Sequence, residues 1–472
     1  MLFNSIAFLI FFAVVIVVYP LLKLRQQNIF LLLASYFFYA YWDWRFLSLI
    51  LLSTFVDFSI GKRLAATQSR KIRKRLLLLS LVTNLSILGF FKYFNFFSES
   101  VITLLNRIGF EADDVTLNII LPIGISFYTF QTLSYTIDIY YRKLEPSKSL
   151  LEFALFVAFF PQLVAGPIER AARFLPQIST RRVISKTKVL SGLNLVLLGF
   201  FKKIAIADTL APVVDAAFGS PETASSATLW FGCYAFALQI YGDFSGYTDI
   251  ARGVSRILGF ELMENFQAPY LSRSITEFWR RWHISLSSWL RDYLYIPLGG
   301  NRLGSARTYF NLFAVMALGG LWHGASWNFV IWGTAHGTFL AIHRFLGGHR
   351  PKSNGKTTPR LYELICIAFT FHLVLFTWIP FRASDLDTSV AYFLGMWKFT
   401  GVFEVSYSCL FAFLLVLFLD AVQTKTRSHT WLTENEVPLV VRIIVTQILI
   451  VGSVSAAIAL RVVEAPFIYF QF

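Results

Sequence analysis

Two stretches of an otherwise apolar chain hold the residues that could do chemistry. One is RSITEFWRRWHISLSSWLRDYLYIPLGG (residues 273–300), basic and rich in tryptophan, with His283 inside it. The other is GGLWHGASWN (319–328), where His323 sits among glycines at the end of a short apolar run. That run, 309–322, is shorter than the roughly 20 residues a membrane crossing needs, which would leave His323 within the bilayer's thickness. An ionisable residue at that depth is a functional-site hypothesis by default. A histidine kept from water stays neutral and free to accept a proton, as a general base activating a hydroxyl must. Gly319, Gly320 and Gly324 would let a substrate approach the backbone closely. The plainer alternative is a histidine that hydrogen-bonds neighbouring helices.

Read as one helix at 100° per residue, 273–295 places Trp279, Trp282, Leu286, Trp289 and Tyr293 in a stripe about 80° wide. Arg280, His283, Ser287 and Arg291 lie beside the stripe, and Arg281, Ser285, Ser288 and Asp292 on the far side. Such a helix suits a position beneath a membrane core, facing a wet cleft. An interfacial helix anchored by Trp and Arg fits the same pattern. His336 and His372 read as packing or network residues, and His343, His349 and His429 as solvated ones. YGDFSGYTD (241–249) lacks GxSxG spacing; Asp243 and Asp249 are expected to pair with the arginines of 273–295 or to line the cleft. Cys233, Cys366 and Cys409 form no CxxC pattern, so no metal site is expected. No HExxH, P-loop or dinucleotide fingerprint occurs.

The elements that position these residues are membrane helices. Hydrophobic residues make up 56% of the 472 and charged ones 15%, where a soluble chain carries roughly a quarter charged. With apolar runs from end to end, the net charge of +15 marks cytoplasmic loops rather than nucleic-acid binding. Spans are expected near 5–22, 28–42, 46–61, 76–95, 117–141, 189–207, 227–248, 308–322, 327–343, 361–380, 405–422 and 439–463. The first has no basic flank or cleavage site and reads as a retained span rather than a signal peptide. Basic blocks without acids at 62–75, 170–188 and 344–360 should face the cytoplasm. Both termini, including Phe472, and the acids Glu111, Asp113 and Asp114 then fall outside. Residues 150–167 are apolar but contain Pro161, Gln162, Gly166 and Pro167 between basic flanks, which fits a re-entrant element lining a cavity. Residues 347–359 and 424–438 read as cytoplasmic loops, and the whole of 1–472 as one integral-membrane domain with core motifs over 121–337.

FWRRWHISLSSWLRDYLYIPLGGNR (278–302) and GLWHGASWNFVIWGTAHG (320–337) resemble the membrane-bound O-acyltransferase (MBOAT) family, most of all its bacterial polysaccharide-acetylating branch. LPIGISFYTFQTLSYTIDIYY (121–141), FFPQLVAGPIER (159–170), YGDFSGYTDIARG (241–253) and WIPFRA (378–383) resemble the same branch. The resemblance implies an all-α polytopic membrane protein, a ring of about 11–12 helices with re-entrant or interfacial helices around a thinned centre. It implies His323 as catalytic histidine and His283 as a supporting one. Acetyl-CoA is the implied cytoplasmic donor, with no permanently bound cofactor. The acceptor is a glycan or a periplasmic or extracellular SGNH-like acetyltransferase, and the setting a bacterial inner membrane. Trp322 and Asn328 would shape or polarise the site, with Trp282 and Asp292 lining it. Arg280, Arg281 and Arg291 lie where a phosphate-bearing donor would arrive, although anchoring at the membrane surface explains the same charges. Two rivals stand beside this reading: D-alanyl transfer from a carrier protein to teichoic acid, and a transporter or flippase, whose usual internal repeats are not visible here.

Overall fold

A computed structural model of the chain describes residues 1–111, 113, 115–348, 359–401, 407–426, 430, 437–459 and 467–468. All secondary structure among them is helical, as the apolar runs require where backbone groups must be satisfied within each segment. Among the described residues five stretches are long and apolar enough to cross a membrane: Leu24–Ala66, Arg70–Arg107, Lys186–Gly219, Arg360–Arg382 and Leu439–Ala459. His349, His429, Asp114, Phe472 and most of the loops expected at 347–359 and 424–438 lie outside the described residues.

The helices form two compact units, one of residues 1–189 with 254–263 and the other of 190–253 with 264–472. In the first, Ile125–Tyr140 is buried along nearly its whole length, so hydroxyls stand where a lipid-facing helix would carry apolar groups. Its Thr132 and Thr136 meet Ser53 and Asp57 of the helix Leu47–Ala66 and Ser80 and Asn84 of the helix Arg70–Leu88. The Asp57 carboxylate, fully buried, accepts from Ser80 Oγ at 2.6 Å and Asn84 Nδ2 at 2.8 Å. The segment expected to re-enter is a broken helix, Leu150–Ala158 and Phe160–Leu163, whose interruption at Phe159 precedes Pro161. Residues 153–168 are all buried within this unit.

The second unit is built around an antiparallel pair, Ser305–His323 and Trp327–Phe345, joined by a three-residue turn. They touch at glycine: a Cβ on Gly320 would stand 2.1 Å from the Phe329 carbonyl and 3.0 Å from Gly333 Cα. The space expected for a substrate beside Gly320 and Gly324 is therefore filled by protein, the latter by the Phe329 ring at 2.0 Å. The first helix of the pair also starts four residues before the expected run. Its 19 residues, about 28 Å at 1.5 Å each, remove the argument that a short span leaves His323 at mid-depth. The sequence hid this because Ser305–Thr308 is a polar but good first helical turn.

Candidate functional site

The segment 273–295 is not one helix. It is Ile275–Arg281, a break at Trp282 and His283, then Ile284–Leu290 running into a wider π turn, Arg291–Tyr295. His283 sits in the left-handed region at φ 44°, ψ 54°, uncommon for any residue but glycine. The break is held by the chain 14–20 residues earlier. Gln267 N–H donates to the Arg281 carbonyl and Ile284 N–H to the Asn265 carbonyl, each at 2.9 Å. The Asn265 side chain supplies the cap that the second helix lacks: its Oδ1 accepts from Ser285 N at 3.1 Å and Ser285 Oγ at 2.9 Å.

That cap fixes the chemistry of His283. A backbone N–H can only donate, so the atom facing it is Asn265 Oδ1, an acceptor. His283 Nδ1, 3.1 Å from the same oxygen, must then carry the proton, which leaves a lone pair on Nε2. The imidazole is fully buried, and burial, the dominant cause, pushes its pKa well below the usual histidine range, to about 3. It is neutral at any physiological pH. Nε2 makes no hydrogen bond among the described residues.

His323, 4% exposed at the last position of its helix, is walled by rings. Trp322 and Trp332 lie 5.0 Å from it, Phe381 5.3 Å and His283 6.3 Å, all edge-on. Trp322 stands beside both histidines, 5.8 Å from His283. Phe244 covers His283 at 4.7 Å. Asn328 binds the Ala383 carbonyl through Nδ2 at 2.9 Å, which ties the WIPFRA stretch to the site, and its buried Oδ1 is unpartnered among the described residues. Trp282 is buried against Phe278 and Trp378, and Phe266 stands between it and His283, 5.0 Å from the indole and 6.5 Å from the imidazole.

A third histidine joins the cluster. His336 Nδ1 accepts from Trp279 Nε1 at 3.3 Å and Nε2 lies 3.0 Å from Thr377 Oγ1, which itself donates to Val374. Trp279 and Trp332, 5.7 Å apart, lead from His323 through this layer to a cavity of about 440 Å³. Its lining includes Arg280, Arg291 and Arg344 with Ser287, Ser288 and Asn301. Arg280 and Arg291 share this cavity with Arg344, read from sequence as a loop-boundary charge. Arg281 is not there. It pairs with Glu277 at 2.6 Å, and Asp292 with Arg291 at 2.8 Å.

Asp243 and Asp249 do not meet the arginines of 273–295. Lys203 bridges Asp208 and Asp243 at 2.9 Å each, and Lys202 and Arg252 hold Asp249 at 2.7 and 3.4 Å. Both lysines belong to the π turn Phe201–Asp208, whose wider winding sets neighbouring residues on two different acids. Asp243 also accepts the Ile468 N–H at 2.6 Å. Among the described residues no cluster of His, Cys, Asp or Glu could hold a metal ion. Sequence reasoning missed Asn265 and Phe381 and set Ser285 on the far face of a continuous helix, away from His283; only the long motifs that contain Ser285 and Phe381 carried any signal for them.

His283, His323 and His336 are buried in one aromatic cluster, and Trp279 of that cluster also lines the cavity that holds three guanidinium groups. The chain belongs to the MBOAT, membrane-bound O-acyltransferase family, whose profile matches residues 38–384, and is an O-acyltransferase in a multi-pass membrane protein. It is 45% identical over 403 residues to the "probable alginate O-acetylase AlgI" of Pseudomonas putida, covering 84% of this chain and 81% of that one. It is 36% identical to the "peptidoglycan O-acetyltransferase" of Helicobacter pylori, covering 85% and 81%. With the "teichoic acid D-alanyltransferase" of Bacillus subtilis the identity is 29%, covering 57% and 70%.

Proposed function

We propose that this protein takes an acetyl group from acetyl-CoA at the arginine-lined cavity and passes it to a hydroxyl of an exported polysaccharide, directly or through an export-side partner. The observation that carries the reading is one buried cluster, His283, Trp322 and His323, joined through Trp332 and Trp279 to that cavity. The higher identity to the relatives named as acetylating enzymes than to the D-alanyltransferase supports acetyl over D-alanyl. Arg280, Arg291 and Arg344 bind donor phosphates, the fixed fork of each guanidinium matching phosphate oxygens. His323 removes the proton as the acceptor oxygen attacks the thioester carbonyl. The C–S bond breaks, and the thiolate leaves with that proton. His283, its proton committed to Asn265, offers Nε2 as a fixed acceptor beside the reaction. The arginine end of the helix pair faces the cytoplasm of a bacterial inner membrane, and the His323 end faces outward.

The test is reconstitution with labelled acetyl-CoA, comparing wild type with His323→Ala and His283→Ala after each has eluted as a monodisperse species. Loss of transfer in folded His323→Ala supports the assignment. Full activity in that variant returns His323 to a packing role. Use of a thioester on an acyl carrier protein but not of acetyl-CoA moves the chain to the D-alanyl reading.

A further inference from the structure

Trp332 and Trp378, in the aromatic cluster around His323, are 1% and 0% exposed, and neither Nε1 has a hydrogen-bond partner among the described residues. The same fold satisfies other indoles. Trp279 Nε1 donates to His336 at 3.3 Å and Trp230 Nε1 to the Met396 carbonyl at 3.0 Å. A buried donor left unmet is costly, so two of them in one cluster call for a reason. Their position supplies one. Trp332 lies 5.0 Å from His323, and Trp378 stacks on Trp332 at 6.0 Å with the rings 22° apart. The Phe381 ring adjoins all three, 5.2 Å from each indole and 5.3 Å from His323.

The cluster also holds unmet acceptors, His283 Nε2 and Asn328 Oδ1, again among the described residues. Donors and acceptors that do not pair with one another fit a ligand that brings both kinds of group. A carbonyl oxygen answers the indoles and a hydroxyl proton answers an acceptor, and these are the groups that meet in acyl transfer. When the hydroxyl oxygen attacks the thioester carbon, the carbonyl π electrons move onto oxygen as a negative charge. They return as the C–S bond breaks, and the thiolate takes the proton that the histidine removed. An indole N–H suits that oxygen because it donates only and keeps its proton. Among rings and away from water its dipole acts with little screening. Trp332 also adjoins both His323 and Trp279, which lines the arginine-lined cavity, and so stands on the route that acetyl transfer requires.

We propose that the indole N–H groups of Trp332 and Trp378 are the donors that stabilise the oxyanion formed during acyl transfer. The proposal rests on the acetyl-transfer reading above. Its test removes each N–H while keeping the shape of the ring, since Trp→Phe would also empty volume from the core. Trp332→3-benzothienylalanine and Trp378→3-benzothienylalanine, introduced singly by stop-codon suppression, put sulfur in place of N–H. Thiol release from acetyl-CoA is followed for the full chain in nanodiscs, with alginate oligomers as acceptor. Each variant is expected to lose about 10²–10³ in kcat, the effect of removing one oxyanion donor. KM for acetyl-CoA should stay within about threefold, because the interaction is made in the transition state. The thermal midpoint should be unchanged or raised, since the N–H has no described partner to lose. A fall in midpoint would reveal a structural partner, such as the face of Phe381, and would overturn the proposal. Wild type that leaves acetyl-CoA uncleaved overturns the donor reading and this proposal together. Cleavage by wild type with kcat unchanged in either variant overturns this proposal alone.

Discussion

His283 and His323 stand 6.3 Å apart in one cluster, yet the fold holds them by opposite means. His283 is fixed by a hydrogen bond to a side chain that also caps a helix, and its backbone is bent into the left-handed region to reach it. His323 ends a regular helix and is bounded by three aromatic edges. Rings keep water from His323, whereas the amide cap commits Nδ1 of His283. The difference teaches what the proposed division of labour would require, one imidazole to exchange a proton and the other to stay put.

The comparison breaks first at His323. Replacement by alanine should lower acetyl transfer by about 10²–10⁴, the usual range for general acid–base catalysis, with the elution profile unchanged. An equal loss in His283→Ala with normal folding would erase the distinction between the two. Asn265→Ala should cost next most. It strips the partner from His283 Nδ1 and Ser285 N, both buried, at about 1–3 kcal/mol for each orphaned donor, read as a fall in thermal midpoint. Activity should fall with it, and unaltered stability would show that Asn265 is no cap.

A pH titration sharpens the same contrast. His283 resists protonation in the fold, where its pKa is about 3, while the unfolded chain takes the proton near 6.5. Its contribution is therefore complete above about pH 6.5 and is lost as pH falls toward 3, by up to about 1.4 kcal/mol per pH unit. His283→Asn, a residue that tolerates this backbone, should flatten the fall in thermal midpoint between pH 7 and 5. An unchanged slope would place the imidazole in contact with water. The smallest effect belongs to Glu277→Gln, which loosens partly exposed pairs with Arg273 and Arg281. It should shift stability by under about 1 kcal/mol and leave transfer within twofold.

The helical class, the membrane setting and both histidines were legible in residue patterns and in the long motifs around them. What escaped was set by contacts distant in sequence. No glycine or proline announces the break at Trp282–His283, because its stabilising groups come from residues 265–267, and periodicity within 273–295 cannot see them. The lysines that hold Asp243 and Asp249 sit in a π turn that local sequence leaves indistinguishable from ordinary helix. Arg344 was visible only as one charge in a basic block, and folding alone brings it beside Arg280.

The left-handed turn at residue 283 also offers a chemical handle. Glycine adopts that backbone without steric cost, so His283→Gly deletes the ring while sparing the turn and leaves a void the shape of an imidazole. Free imidazole supplied in solution should lodge there against Asn265 and restore activity in proportion to its occupancy. This bend would then serve as a port for exogenous bases, and the basicity of the supporting group could be varied atom by atom without altering the polypeptide.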